Sequence, residues 1–225
     1  MTEFTFVRKL VAEMIGTVFL LATVVGSGIM AESLAGGNVA IALLGNTIAT
    51  GCILMVLILI FGPISGAHFN PAVTLSFWLQ HQISGREAMF YVVVQTIAAI
   101  TGAVLAHIMF DMPNLVMAST KVRTGVGQWT GEFVATFGLL ATILGCIRLR
   151  PEALPYAVGL YISAAYWFTS STSFANPAVT IARTLTESFS GILFTHAPAF
   201  IVVQIVSAVV VTYLFKWLYG ELRAN

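Results

Sequence analysis

Asn70-Pro71-Ala72-Val73-Thr74-Leu75-Ser76-Phe77-Trp78-Leu79 and Asn176-Pro177-Ala178-Val179-Thr180-Ile181-Ala182-Arg183-Thr184-Leu185 are the two stretches that decide the fold. Their first five residues are identical. Each is an apolar run of roughly 10–13 residues, too short to cross a bilayer, which takes about 20. Each opens with asparagine, a good helix N-cap, followed by proline, which is well tolerated in the first helical turn. Both therefore read as half-helices that start at their own Asn-Pro.

Working outward, six longer apolar stretches lie at roughly 9–30, 40–61, 87–110, 128–148, 154–172 and 197–219, each near the length of a span. The chain is 58% hydrophobic and 8% charged, with a mean hydropathy of +0.94. Soluble domains carry about a quarter charged residues. The fold class is thus an all-α membrane protein: six transmembrane helices plus two re-entrant half-helices. The net charge of +1 gives no reason to expect a nucleic-acid partner. Membrane lipids are the surroundings instead. Cys52 and Cys146 lie inside apolar stretches and read as small buried hydrophobes, not as a disulfide or a metal site. The N-terminal stretch carries Glu13 and shows no small-residue cleavage site, so it reads as the first span and not as a signal peptide.

Non-helical backbone is tolerated at membrane depth only where it is buried in protein or lines a watery cavity. The segments Gly62–Gly66 and Ser170–Ser173, which lead into the half-helices, therefore argue for a pore. Arg8, Lys9, Arg86, Arg148, Arg150, Lys216 and Arg223 all fall on one side of a six-span topology, with Lys121 and Arg123 in a loop on the other. The positive-inside rule puts both termini in the cytoplasm, in a multi-pass protein of the cell (inner) membrane.

The halves also resemble each other. Ala12-Glu13-Met14-Ile15-Gly16-Thr17 echoes Gly131-Glu132-Phe133-Val134-Ala135-Thr136, and Val94-Gln95 echoes Val203-Gln204. Three spans per half is an odd number, so the second half inserts upside down. The chain is then a single domain, 1–225, with repeat halves 1–115 and 125–225 whose half-helices meet near the midplane. Each half-helix N-terminus carries roughly +0.5 elementary charge. A pore centred there disfavours cations and hydronium, while each Asn caps its helix and keeps an amide N–H for the lumen. Glu13 and Glu132 must face the interior and be paired. His68 reads as a hydrogen-bonded scaffold residue, and Gln95 and Gln204 as interhelical glue.

Two Asn-Pro-Ala motifs in six spans, the run Ser65-Gly66-Ala67-His68-Phe69-Asn70 and the paired glutamates together resemble the major intrinsic protein family, the aquaporins and glycerol facilitators. The resemblance implies the aquaporin fold, a homotetramer and a separate pore in every subunit. It makes Asn70, Pro71, Ala72, Asn176, Pro177 and Ala178 the pore motifs. It also gives Glu13 and Glu132 the role of accepting hydrogen bonds from the segments before the half-helices, and it implies no cofactor or metal.

By the same resemblance, four positions form a selectivity filter on the extracytoplasmic side. They match Thr50, Ser173, Val179 and, depending on where a gap in the second loop is placed, Tyr166 or Ala164. Water-selective members carry arginine where this chain has Val179. A filter with at least three small members implies a wider opening, and the pattern is similar to bacterial aquaglyceroporins linked to arsenic resistance. The expected function is passive passage of small neutral solutes: metalloid hydroxides such as arsenous acid, glycerol-like polyols and water. Arg183, four residues after Val179, reaches back to support the filter, pairs with Glu187 or takes an interfacial position.

The alternatives are a water-selective aquaporin and an ion-coupled secondary transporter, which shares inverted repeats and broken helices. Enzymatic chemistry is not expected. His68, His81, His107 and His196 are scattered, and no nucleophile–base set or phosphate loop accompanies them.

Overall fold

The computed structural model describes residues 4–220, so Arg223 lies outside the described residues. Among them every regular element is helical. The long helices are α1 (Phe6–Leu34), α2 (Val39–Ser65), α4 (Gly85–Met109), α5 (Val126–Leu149), α6 (Leu154–Phe168) and α8 (Ala197–Tyr219), and between them lie two short ones, α3 (Pro71–Leu79) and α7 (Pro177–Arg183). Their outward faces are apolar: Phe19, Ile48, Ile97, Leu160 and Val202 are all more than half exposed. Such a surface belongs against lipid or a neighbouring subunit, not water.

Three boundaries differ from the sequence expectation. The second span runs on through Gly62, Pro63 and Ile64 to Ser65, and only Gly66, at φ 88°, leaves the helix. Proline near a helix C-terminus leaves one carbonyl without its donor but does not break the last turn. The fifth span stops at Phe168, not near 172, giving 15 residues. Thr169 turns extended and returns its hydroxyl to the Ala165 carbonyl at 2.7 Å. At 1.5 Å per residue this helix is about 22 Å long, so among the described residues five helices, not six, are long and apolar enough to cross a membrane unaided. The half-helices have 9 and 7 residues, shorter than their apolar runs. The cysteines differ as well: Cys52 is exposed and Cys146 half-buried, both as free thiols. In lipid an apolar stretch has no need to bury its outward side chains.

Close helix contacts position the pore wall. A Cβ on Gly159 of α6 would stand 2.6 Å from the Gly51 carbonyl and 2.5 Å from Met55 Cγ on α2. Only glycine lets these two backbones approach so closely, and the approach brings Thr50 of α2 beside Tyr166 of α6. Gly16 of α1 does the same for Phe69, whose ring would lie 2.1 Å from an added Cβ. Each half-helix is gripped by both halves of the chain: α3 packs on α4 and α8, and α7 on α4 and α8.

Candidate functional site, a pore between two half-helices

The segments before the half-helices adopt the same strained shape. Gly66, Ala67 and Phe69 have φ of 88°, 50° and 48°, and Thr172, Ser173 and Ala175 have 59°, 51° and 47°. Left-handed conformation is unfavourable for side chains with a Cβ, by about 1–3 kcal/mol each. The glutamates hold it in place. Glu13 accepts from Ser65 Oγ at 2.6 Å, His68 N–H at 2.9 Å, Phe69 N–H at 2.7 Å and Gln95 Nε2 at 2.9 Å. Glu132 accepts from Phe174 N–H at 3.2 Å, Gln204 Nε2 at 2.7 Å and Ala175 N–H. Gln95 and Gln204 also bind the hydroxyls of Thr74 and Thr180, at 3.0 and 2.9 Å. Each glutamate, on the first helix of its half, therefore fixes the half-helix of that half.

The asparagines then lock the halves together. Asn70 accepts from Ala72 N–H at 2.8 Å and donates Nδ2 to the Ala175 carbonyl at 2.7 Å. Asn176 accepts from Ala178 and Val179 N–H at 3.0 and 3.2 Å and donates to the Phe69 carbonyl at 2.8 Å. Each side chain caps its own helix and spends one N–H on the opposite loop, and an amide NH₂ keeps a second donor. Pro71, Ala72, Pro177 and Ala178 are buried in the first turns behind them.

Both asparagines line an internal cavity with about 80 Å³ available to water-sized molecules, room for several waters. Its wall is mostly apolar, with Leu20, Val24, Ile58, Val73, Leu139 and Ile162, and a polar strip runs through His68, Asn70 and Asn176. Thr50, Tyr166, Ser173 and Val179 all belong to the wall. Tyr166 reaches Thr50 Oγ1 at 3.4 Å, a long bond, and Ser173 Oγ is buried without a protein partner. Ala164 is exposed on the outer surface of α6 and takes no part. His68 packs its ring on Phe77 and Tyr91 and bonds Thr74 Oγ1 at 3.1 Å.

Arg183 does not pair with Glu187. Helix α7 ends at Arg183, so the four-residue spacing carries no helical geometry beyond it. Arg183 is 1% exposed, which also excludes an interfacial position. Its Nε donates to the Ser190 carbonyl and its guanidinium lies 3.4 Å from the centre of the Phe174 ring. Glu187 instead accepts from Thr120, from the backbone N–H at 2.6 Å and the hydroxyl at 2.8 Å. Those two donors hold its carboxyl below the usual carboxylate range.

Sequence reading missed two residues. Arg123 registers there only as an outer-loop charge. In the structure it donates to the carbonyls of Gly191 at 2.9 Å, Phe189 at 3.3 Å and Ser171 at 3.4 Å. His107, dismissed as scattered, is fully buried and bridges Leu115 O and Thr186 Oγ1, both at 2.8 Å. A carbonyl only accepts, so Nδ1 is the donor to Leu115. These partners lie up to 79 residues away, and nothing local in the sequence points to them.

Residues 1–164 match the family model described as Major intrinsic protein, which stops short of the second Asn-Pro-Ala. Over 223 residues the chain is 56% identical to "Aquaglyceroporin AqpS" of Rhizobium meliloti (strain 1021), covering 99% of this chain and 95% of that one. It is 29% identical to "Probable aquaporin AqpM" of Archaeoglobus fulgidus, over 96% and 99% of the two chains. The fold matches the X-ray structure of the aquaglyceroporin from Plasmodium falciparum with a TM-score of 0.74 over 97% of each chain, at 20% identity. The paired half-helices, the cavity they cap and these likenesses carry one conclusion: the chain belongs to the major intrinsic protein family and is a multi-pass channel of the aquaglyceroporin type, not an enzyme.

Proposed function

We propose that this channel passes small uncharged solutes down their gradients: glycerol-like polyols, metalloid hydroxides such as arsenous acid, and water. The reading rests on Val179, an apolar, uncharged side chain in the cavity wall three residues past Asn176. Around it Thr50, Tyr166 and Ser173 offer hydroxyls, and that of Ser173 has no protein partner. A hydroxyl-bearing neutral solute replaces its water shell there with wall oxygens and lays its carbon or metalloid side on the apolar wall. A cation gains far less, because the half-helix ends face it with positive charge. We further propose that residues 1–225 work as a single channel domain of halves 1–115 and 125–225. It sits in the cell (inner) membrane as a homotetramer, with both termini cytoplasmic.

The contact between Tyr166 and Thr50 favours a second reading, a water-selective pore, because the phenol takes space beside the filter. Reconstituted liposomes separate the two. Water-driven shrinkage and the uptake of glycerol and arsenite are measured in the same vesicles. Passage of all three supports the wide filter; passage of water alone makes Tyr166 the closing group.

A further inference from the structure

We infer that Arg183, seconded by Arg123, supplies the outer cation barrier of this pore. The inference rests on the channel reading above. The filter wall itself carries no charge, since Thr50, Tyr166, Ser173 and Val179 are all neutral. One turn outward from Val179, on the same face of α7, stands Arg183. It is not part of the cavity wall, but Phe174 is, and the guanidinium lies 3.4 Å from the centre of that ring. Arg123 lies over the same ring at 5.2 Å.

Neither charge is neutralised by an ion pair. The salt bridges among the described residues join Lys9 to Glu87 and Lys121 to Glu32. The partners of Arg123 are carbonyls and the Thr172 hydroxyl, which satisfy its N–H groups without cancelling its charge. Arg183 has one bond, to Ser190, and its Nη1 is buried with no acceptor at all. Glu132, held by the Phe174 and Ala175 N–H groups and Gln204, and Glu187, held by Thr120, form no ion pair with either arginine. These neutral donors leave the buried Glu132 charge in place, and one carboxylate offsets only part of two guanidiniums. Two guanidiniums on one ring repel each other, so packing alone does not account for the pair. Its field crosses the ring into the pore through a low-dielectric path. At an effective dielectric of about 20, a unit charge roughly 10 Å from a monovalent cation disfavours it about tenfold, whereas a neutral solute feels almost nothing.

The test is potassium leak and glycerol uptake, measured in the same liposomes for wild type, Arg123→Gln, Arg183→Gln and Arg183→Lys. Arg183→Gln should raise potassium leak about tenfold, and Arg123→Gln should raise it less, with glycerol uptake within about twofold of wild type. Uptake at wild-type levels with unchanged leak in both glutamine variants overturns the inference. If Arg183→Gln gives no glycerol uptake because the outer loop fails to pack, Arg183→Lys decides. A buried lysine loses its charge as pH rises, while arginine stays charged. Its leak should climb between about pH 7 and pH 10 while that of wild type stays flat. A flat profile in the lysine variant leaves Arg183 as an anchor for Ser190 and nothing more. Wild-type vesicles that pass neither water nor glycerol defeat the channel reading itself, a result distinct from any change in leak.

Discussion

Val179 is the residue on which the choice of solute turns. It is 5% exposed and packs into the wall beside Asn176, so a long side chain there has nowhere to go but the lumen. Val179→Arg adds bulk and five N–H donors. We expect glycerol and arsenite uptake to fall at least about tenfold, with water permeability kept within a few-fold. Unchanged glycerol and arsenite uptake in a well-expressed variant would show that Val179 does not set the filter. Glu187 supports a second expectation, in the outer loops. Its carboxyl titrates below the ordinary range because Thr120 donates to the ionised form. The clamp between residues 120 and 187 is therefore present above the ordinary carboxylate pKa and is lost as pH falls through the depressed one. Amide exchange at Thr120 should speed up between about pH 5 and pH 2 relative to the intrinsic rate, and Glu187→Gln should flatten that pH dependence.

At the scale of elements, the half-helices and the paired glutamates were legible because each rests on local chemistry: Asn-Pro starts a helix, and an acid inside a membrane demands donors. The failure at Arg183 is equally instructive. Four-residue spacing implies pairing only while the helix lasts, and α7 ends at Arg183 itself, after 7 residues. Where a half-helix stops depends on how the outer loop returns over it, through Ile192 N–H to the Arg183 carbonyl at 3.1 Å. No period in the sequence records that. The closeness of α2 to α6 was hidden for the same reason, because Gly51 and Gly159 look like ordinary glycines until their backbones meet. Gly159→Val should push α6 off α2, given the 2.6 Å approach of its Cβ to the Gly51 carbonyl. We expect a loss of about 1–3 kcal/mol, read as a lower unfolding midpoint in detergent. Glu132→Gln removes one of two carboxylate acceptors for the Phe174 and Ala175 N–H groups. It should cost about 1–3 kcal/mol as well and loosen the second half-helix before the first.

For the whole molecule, the geometry bears on whether the pore alternates or stays open. An alternating transporter needs one half to rock against the other around its site. Here each asparagine donates to a carbonyl of the opposite half, Asn70 to Ala175 and Asn176 to Phe69, at 2.7 and 2.8 Å. Both short helices also pack against helices α4 and α8, one from each half. Rocking would break both asparagine bonds that tie the halves together, at about 1–3 kcal/mol for each buried group left unpaired. Coupling to an ion gradient would in addition need a titratable group free to exchange with the site. Both intramembrane glutamates are fully buried and committed to the loop N–H groups, and His68, the histidine in the cavity wall, is tied to Thr74 Oγ1 at 3.1 Å. Glycerol uptake into liposomes should therefore rise linearly with the imposed gradient, without saturating, and stay the same when a sodium or proton gradient is added or collapsed. A saturating, gradient-dependent uptake would mean that the two asparagine bonds open in every cycle. Asn70→Ala, which removes one of them, would then speed transport, whereas in a rigid pore it should only lower stability and weaken proton exclusion.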